Sequence, residues 1–260
     1  IIEGVSNSVD EARLGHGNQI EITVTEDNIV QLRDYGQGFI YSMRDDGESV
    51  LQASFDVMNT SGKYHDDGTY EGTSLGLNGI GSKLINFLSH WCEVSSYRDG
   101  YMEWIHFDEG VFSKREYKKS NEKTGTYIKW LPSEEFFEHV EPDINKLKKL
   151  FRDLACLCPG LTIILNYKGE KSKYFSANGL NDLVDEATKD NELLKNRFST
   201  NFEDGKNKID LVLTYTKSYS PVFVPYVNTG LTEAGPHITQ IKTLLTREFN
   251  KFFRDKGWLK

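Results

Sequence analysis

Residues able to bind a metal ion and to activate a water molecule recur at helical spacing near the start of the chain. They are Glu3, Asn7, Asp10 and Glu11. Their spacing of three or four positions places them on one face of a helix. An asparagine oxygen suits Mg²⁺, which takes few protein oxygens together with phosphates and waters, and a carboxylate one turn away would orient a water. A solvated helix face has the same pattern, so this segment alone leaves both interpretations open.

Two further patterns suit the recognition of a flat ring. In Asp34-Tyr35-Gly36-Gln37-Gly38, Asp34 would accept a hydrogen bond from an exocyclic amine, while Gly36 and Gly38 would let a ring approach the backbone. Aspartate and glycine also form ordinary tight turns, so the alternative is a plain turn. Thr126, after Gly125, begins a strand candidate and by itself indicates no more than a hairpin end.

A glycine-rich segment precedes the third helix candidate. Its residues are Gly76, Leu77, Asn78, Gly79, Ile80 and Gly81. A Walker A loop would end in Lys-Ser, whereas this chain has Ser82-Lys83, and the glycine spacing does not fit a Rossmann fingerprint. What remains is a loop whose backbone N–H groups bind an anion at a helix N-terminus, or a plain loop-to-helix junction.

Composition indicates an ordinary acidic globular protein. The 260 residues include 31 Lys and Arg against 39 Asp and Glu, a net charge of −8, which gives no broad surface for phosphate binding. No apolar run reaches the ~20 residues of a membrane span, so no membrane association is expected. Cys92, Cys156 and Cys158 show no paired framework and are predicted to be buried free thiols in a reducing cytoplasm.

Apolar periodicity predicts the elements that position these residues. Helices are expected at 1–14, 49–58, 81–89, for about 15 residues from Pro142, and at 237–253. Strands are expected at 19–25, 29–33, in several segments between 89 and 131, at 161–166, near Phe198, at 209–215 and at 222–227. Residues 59–75 are predicted to form a mobile loop and 189–195 a linker. This order is not the regular alternation of a doubly wound fold.

Taken in order, the four motifs resemble the nucleotide site of the GHKL ATPases, and most closely the ATPase subunit of type II DNA topoisomerases such as gyrase B and topoisomerase IV. Residues 7–12 resemble its Asn-Ser-x-Asp-Glu-Ala box, and residues 60–64 its Ala-Gly-Gly-Lys-Phe segment. Residues 234–237 and 244–247 resemble a pattern of its transducer domain. The MutL branch would carry Gly-Phe-Arg-Gly-Glu-Ala-Leu at 76–82, which this chain lacks.

The resemblance implies a fold and a domain division. The expected fold is an α/β sandwich, the Bergerat ATP-binding fold, in which helices cover one face of a mixed sheet. The ATP-binding domain would occupy residues 1–190. Residues 191–260 would begin a second, incomplete domain, the ribosomal-S5-like transducer.

The resemblance also implies a role for individual residues, with ATP and Mg²⁺ as cofactors. Glu3 would be the general base, Asn7 the Mg²⁺ ligand, and Lys63 a phosphate contact from the flexible loop. Asp34 would accept a hydrogen bond from the adenine amino group, and Thr126 would contact the adenine through a water. The further nucleotide-binding candidates are Asp10, Glu11, Gly36, Gly38, Arg98 at the mouth of the adenine pocket, and residues 76–81, whose backbone would hold the phosphates.

The function implied is ATP-driven gate closure in a DNA topoisomerase of the bacterial or phage-infected cytoplasm. ATP binding would stabilise a dimer of this chain, next to a DNA-cleaving subunit of the gyrase A kind, and the full enzyme would pass double-stranded DNA. Two alternatives stay open. One is a degenerate GHKL module that serves as an interaction platform, and the other is a chaperone-like or repair ATPase.

Departures from the family pattern predict a divergent member, carried by a phage or plasmid. Tyr35, Gln37 and Ile40 stand where the family has Asn, Arg and Pro. The family arginine pairs with the acid at Glu11, so that ion pair is expected to be lost. The chain begins with Ile inside a helical pattern, which predicts a fragment. The sequence lacks the family's Gln-Thr-Lys loop, whose lysine contacts the terminal phosphate, and its Glu-Gly-Asp-Ser motif, so the resemblance implies a piece that binds ATP, hydrolyses it slowly and cuts no DNA.

Overall fold

The computed structural model describes residues 1–57, 80–191, 193–205 and 207–259, without the side chains of 193–195. The candidates Lys63, Gly76, Leu77, Asn78 and Gly79 lie outside the described residues. So do the whole loop predicted at 59–75 and the segment 60–64 within it.

Eight strands form one mixed sheet. They are β1 (Gln19–Val24), β2 (Val30–Asp34), β3 (Ser89–Arg98), β4 (Tyr101–Asp108), β5 (Val111–Lys119), β6 (Gly125–Pro132), β7 (Thr162–Tyr167) and β8 (Glu170–Tyr174). Their order across the sheet is β5-β4-β3-β6-β2-β1-β7-β8. Of these neighbours, β1 and β7 are parallel and the others antiparallel. The predicted mixed sheet is confirmed.

The core lies on one face of this sheet because apolar residues alternate along its inner strands. Ile20, Ile22 and Val24 of β1 are buried, and the register places Ile22 opposite Leu32 of β2. Leu32 is in turn opposite Ile128 of β6. The buried side chains of adjacent strands therefore share one face, and only that face needs a covering layer of helices.

Five helices belong to this layer. They are α1 (Ile2–Arg13), α2 (Val50–Asp56), α3 (Gly81–Phe87), α4 (Ile144–Leu157) and α5 (Leu180–Ala187). Helices α1 to α4 pack on the sheet, and α5 packs against α4. Two begin at side-chain caps: Ser49 accepts from the Gln52 N–H, and Asp143 accepts from the N–H groups of Asn145 and Lys146. The expectation of helices on one face is confirmed.

The remaining residues add two hairpins and a long helix. They comprise β9 (Leu193–Glu203), β10 (Lys208–Thr216), β11 (Tyr226–Val227), β12 (Gly230–Leu231) and α6 (Pro236–Asp255). The linker predicted at 189–195 is wrong at its end, because β9 already begins at Leu193. The strand predicted at 222–227 is confined to its last two residues, where β11 pairs with β12.

The sequence analysis missed three of the described elements: β8, α5 and the two-residue strand β12. Strand β8 is a polar edge strand without apolar alternation, and α5 is short and has no side-chain cap. The three cysteines are free, as predicted, although Cys158 is only half-buried. In the described part of the chain, no helix is both long enough and apolar enough to cross a bilayer.

Candidate functional site

Asp34 is a buried carboxylate at the end of β2, on the face that the helices cover. Its Oδ1 accepts hydrogen bonds from the N–H groups of Gly36 (2.9 Å) and Thr126 (3.0 Å). Its Oδ2 accepts one from the Ser8 hydroxyl (3.2 Å). A carboxylate offers about four acceptor positions, so Oδ2 retains capacity for the N–H of a ligand.

Burial is the largest influence on the ionisation of Asp34, and it raises the pKa of this carboxyl above its usual value. The hydrogen bonds from Gly36, Thr126 and Ser8, together with the nearby Arg33, act in the opposite direction. Donors aimed at the carboxylate favour its charged form. The site therefore keeps an acceptor available in an apolar environment.

Glycines bring the backbone close to this carboxylate. Gly38 has a φ of +63°, and a Cβ there would lie 2.7 Å from the carbonyl oxygen of Tyr97. At Gly36, a Cβ would lie 3.1 Å from Oε2 of Glu11. Gly38 therefore requires glycine, whereas a Cβ at Gly36 would press only on the Glu11 side chain, so the close approach of backbone segments in this turn depends on Gly38.

The polar face of α1 borders the same cavity as Asp34. Glu3, Asn7 and Glu11 line this cavity together with Gly81 of α3. Asn7 is half-buried, and Glu3 reaches over to α3, where a Cβ on Gly81 would lie 2.5 Å from Glu3 Oε2. These side chains border the cavity, although Glu3 is exposed to solvent, so a metal and water site on this helix face stays a prediction.

The neighbouring candidates are distributed as follows. Asp10 is buried in α1 and, like Thr126 and Ile80, borders the cavity. Glu11 Oε2 accepts a hydrogen bond from the Gln37 N–H at 3.3 Å. This backbone donor contacts the acid that an arginine pairs with in the family pattern. A neutral N–H thus contacts Glu11 where the family pattern has a cation.

Arg98 lies at the end of β3 on the rim of the cavity. Its Nη1 is 3.4 Å from the carbonyl oxygen of Gln37 and 3.5 Å from that of Gly38. Its Nε is 3.5 Å from Oδ2 of Asp99. Arg98 therefore contacts the glycine turn after β2, and its place at the mouth of an adenine pocket stays a prediction.

Three site residues were not singled out by sequence reasoning. Ser8 donates to Asp34, and Ser96 accepts the Phe39 N–H at 2.7 Å, next to the glycine turn. Arg33 donates to the carbonyl oxygen of Asp34 at 2.7 Å. Strand parity would have found Ser96, since β3 pairs it with Thr126 of β6.

A lysine also borders the cavity from α3. Lys83 is almost fully buried, and its Nζ lies 3.4 Å from the carbonyl oxygen of Ser54 in α2. Burial lowers the pKa of Lys83, and the charge of Asp56 opposes that change. In the sequence, Lys83 served only to reject a Walker A loop. The structure instead gives it a contact between α2 and α3.

Comparison with known sequences finds relatives along the whole chain. The family profile described as DNA gyrase B matches residues 179–260. The B subunit of DNA topoisomerase 4 from Streptococcus pneumoniae is 30% identical over 265 residues, covering 99% of this chain and 41% of the relative. The B subunit of DNA gyrase from Thermotoga maritima is 31% identical over 273 residues, covering 100% and 43%. The chain thus spans about two fifths of the length of these relatives.

Comparison with solved structures finds the same fold. The 43K ATPase domain of Thermus thermophilus gyrase B, solved in complex with an aminocoumarin, superposes with a TM-score of 0.81 at 22% identity. The match covers 99% of this chain and 68% of that one. This chain therefore has the fold of that ATPase domain.

Proposed function

We propose that this chain is a GHKL ATPase that binds and slowly hydrolyses ATP, because it is similar along its length to the B subunits of DNA topoisomerase 4 and DNA gyrase and shares the fold of a gyrase B ATPase domain. The observation that carries the proposal is Asp34, a buried carboxylate with two backbone donors on one oxygen and open capacity on the other. An adenine amino group provides the N–H that this acceptor lacks. The half-buried Thr126 beside it would complete the contact through a water.

The chemistry of the donor set fits Mg²⁺ held mainly by the nucleotide. In the described residues, no three His, Cys, Asp or Glu side chains cluster as a metal-binding group. Asn7 offers one amide oxygen to the cavity, and Mg²⁺ typically combines one or two protein ligands with phosphates and waters. When bound, Mg²⁺ would neutralise charge on the transferred phosphoryl group.

Glu3 is proposed as the general base. Its carboxylate lies against Gly81, on the side of the cavity where α3 begins, and it is exposed to the solvent that supplies the attacking water. Glu3 would orient this water and accept its proton at a carboxylate oxygen as the water attacks the terminal phosphorus. The bond from that phosphorus to the oxygen bridging it to the β-phosphate would break, and ADP would leave. Positioning of this kind accounts for most of the catalysis in phosphoryl transfer.

The other proposed contacts act on the phosphates and on the ribose side of the site. Backbone N–H groups of residues 76–81 would hold the phosphates, and Lys63 would contact the terminal one. Asp10, Glu11, Gly36, Gly38 and Arg98 would shape the cavity. These roles rest on the family resemblance and, for Asp10, Glu11, Gly38, Gly81 and Arg98, on their positions in the cavity wall. Gly36 is not among the lining residues, and its contact with the site is the N–H that it donates to Asp34.

At the scale of the complete enzyme, we propose that ATP binding stabilises a dimer of this chain and that hydrolysis resets it. Residues 1–190 would be the ATP-binding domain and 191–260 the start of the transducer. A DNA-cleaving subunit of the gyrase A kind and double-stranded DNA would be the partners, in the cytoplasm of a bacterial or phage-infected cell. The relatives' names support this proposal.

Calorimetric titration with adenylyl imidodiphosphate and Mg²⁺ tests nucleotide binding. We expect micromolar to sub-millimolar affinity (about −8 to −4 kcal/mol) in the unmutated chain and a loss of at least about tenfold in Asp34→Asn, because the acceptor geometry is altered. Asp27→Asn is the matched control, since Asp27 is exposed at the opposite end of the same β1–β2 hairpin. Equal affinities in all three proteins would contradict the adenine site, and absence of binding would favour the interaction-platform alternative.

A further inference from the structure

Arg33 lies immediately behind the proposed adenine site, on the opposite face of the sheet. Successive side chains of a strand point to opposite faces, so Arg33 points away from the cavity while Asp34 points into it. Arg33 is half-buried. Any effect of this residue on a nucleotide must therefore be transmitted through the groups it holds.

The guanidinium of Arg33 joins two backbone segments. Its Nη1 donates to the carbonyl oxygen of Asp34 at 2.7 Å, and its Nη2 donates to the carbonyl oxygen of Lys123. A planar guanidinium presents these donors in a fixed fork, which sets the distance between the two carbonyl groups. The end of β2 is thereby tied to the segment that leads into β6.

Two aromatic rings hold the guanidinium in place. Its central carbon lies 4.7 Å from the ring centroid of Tyr35 and 4.7 Å from that of Tyr97 in β3. The Tyr35 hydroxyl in turn donates to Glu21 of β1 at 2.8 Å. Contacts of a cation with two ring faces restrict its position from both sides. Arg33 is therefore fixed by β1 and β3 as well as by its own strand.

The two segments that Arg33 joins are also joined by the hydrogen bond that orients Asp34. Thr126, which donates its N–H to Asp34 Oδ1, lies three residues after Lys123. Gly125 sits between them and packs on Arg33, since a Cβ there would lie 2.8 Å from Nη1. If the guanidinium were removed, the backbone of Thr126 could shift relative to that of Asp34. The Arg33 charge also lowers the pKa of Asp34, in opposition to burial.

We propose that Arg33 is a positioning residue that fixes Asp34 relative to Thr126 and thereby sets how strongly the site selects a purine with a 6-amino group. This inference rests on the proposed function, because it presumes that Asp34 reads adenine. It adds a specificity determinant that touches neither the nucleotide nor the reacting atoms.

The test compares two nucleotides in the presence of Mg²⁺: ATP and purine riboside triphosphate, which lacks the 6-amino group. The quantity is the ratio of their dissociation constants, measured by calorimetry on the unmutated chain and on Arg33→Met. We expect a ratio of at least about 10 in the unmutated chain, as for one hydrogen bond to a charged group. In Arg33→Met the ratio should fall below about 3, mainly because ATP binds more weakly.

Lys129→Met is the matched control. Lys129 is on the same outer face in β6, and its Nζ lies 5.3 Å from the ring centroid of Trp91, so this variant also removes a cation from an aromatic ring. It should lower the melting temperature and leave the ratio unchanged. If Arg33→Met also loses only stability and keeps the full ratio, the inference is wrong while the proposed function stands.

Two further outcomes complete the test. A ratio near 1 in the unmutated chain would refute the adenine site and this inference together. If Arg33→Met does not fold, Arg33→Lys decides the question, because lysine keeps the charge but lacks the fork. In Arg33→Lys we expect a ratio of dissociation constants between those of Arg33→Met and the unmutated chain. A ratio equal to that of the unmutated chain would refute the positioning role.

Discussion

The site depends on the exact conformation of individual residues around Asp34. Oδ1 of Asp34 accepts hydrogen bonds from two backbone N–H groups. One belongs to Gly36, two positions after Asp34, and the other to Thr126, 92 positions after it. Gly38 allows the backbone beside them to turn with a positive φ. Small changes at these residues are therefore expected to alter binding as well as stability.

The first prediction concerns Gly38. In Gly38→Ala, the new Cβ meets the Tyr97 carbonyl oxygen at 2.7 Å in addition to the strain of a positive φ. We expect a loss of about 2–3 kcal/mol in the free energy of unfolding and weaker nucleotide binding. Urea unfolding and calorimetric titration measure the two effects.

Gly47→Ala is the control for backbone strain. Gly47 also has a positive φ (+85°), but a Cβ there would meet no atom within 4 Å. This variant should lose only about 1–2 kcal/mol of stability and keep its nucleotide affinity. If the two variants behaved alike, the close approach at Gly38 would have no role in the site.

At the scale of elements, a buried carboxylate joins β4 to α2. Glu103 of β4 is 3% exposed and is hydrogen-bonded to Ser49, the N-cap of α2. Burial raises the pKa of Glu103, while Ser49 and the charge of Arg115 oppose it. Within the described residues, no donor reaches Glu103 Oε1. This contact orients α2 on the sheet but leaves a buried charge poorly compensated.

Glu103→Gln is therefore expected to stabilise the fold, and more so at higher pH. Because the folded pKa lies above the usual 4.5, the favourable contribution of the protonated Glu103 is complete below pH 4.5 and is lost as pH rises through the folded pKa. Glutamine has no charge to lose. Urea unfolding at pH 4.5 and 7.5 should show a gap between variant and unmutated chain that widens by on the order of 1 kcal/mol. A gap that is constant with pH would show that ionisation of Glu103 does not matter.

The success of sequence reasoning also differed between elements, for physical reasons. Strand β1 and helix α1 were predicted closely because they alternate or repeat apolar residues against the core. Strand β8 is an edge strand held by backbone pairing with β7, so its side chains carry no pattern. Asp34 was found through its motif. The role of Arg33 was not, because two ring contacts and two carbonyl contacts assemble only in three dimensions.

At the scale of the whole molecule, polar contacts connect the residues after α5 to the rest of the chain. Arg197 of β9 forms an ion pair with Asp185 of α5 and lies 3.3 Å from the carbonyl oxygen of Asn181. Tyr226 of β11 is hydrogen-bonded to Asp153 of α4. These contacts attach β9 to α5 and β11 to α4.

Arg197→Ala should weaken this connection. We expect the thermal transition to broaden or divide into two, with a loss of about 1 kcal/mol, because a partly exposed ion pair contributes little by itself. Differential scanning calorimetry measures the transition. Arg247→Ala is the control, since Arg247 pairs only with its neighbour Glu248 in the contacts described and is well exposed. A single unchanged transition in both variants would indicate that other contacts attach the residues after α5 to the rest of the chain.

The single parallel pair of the large sheet has a consequence for synthesis on the ribosome. Strand β1 pairs with β7 only after residues 162–167 have been made, although β1 itself is complete at Val24. At typical translation rates this interval is on the order of 10 s. During that time the nascent chain exposes an unpaired strand edge and the apolar surface that α4 later covers. Newly made chains should therefore depend on chaperones until translation has passed β7, whereas a finished chain that unfolds has all its strands available at once.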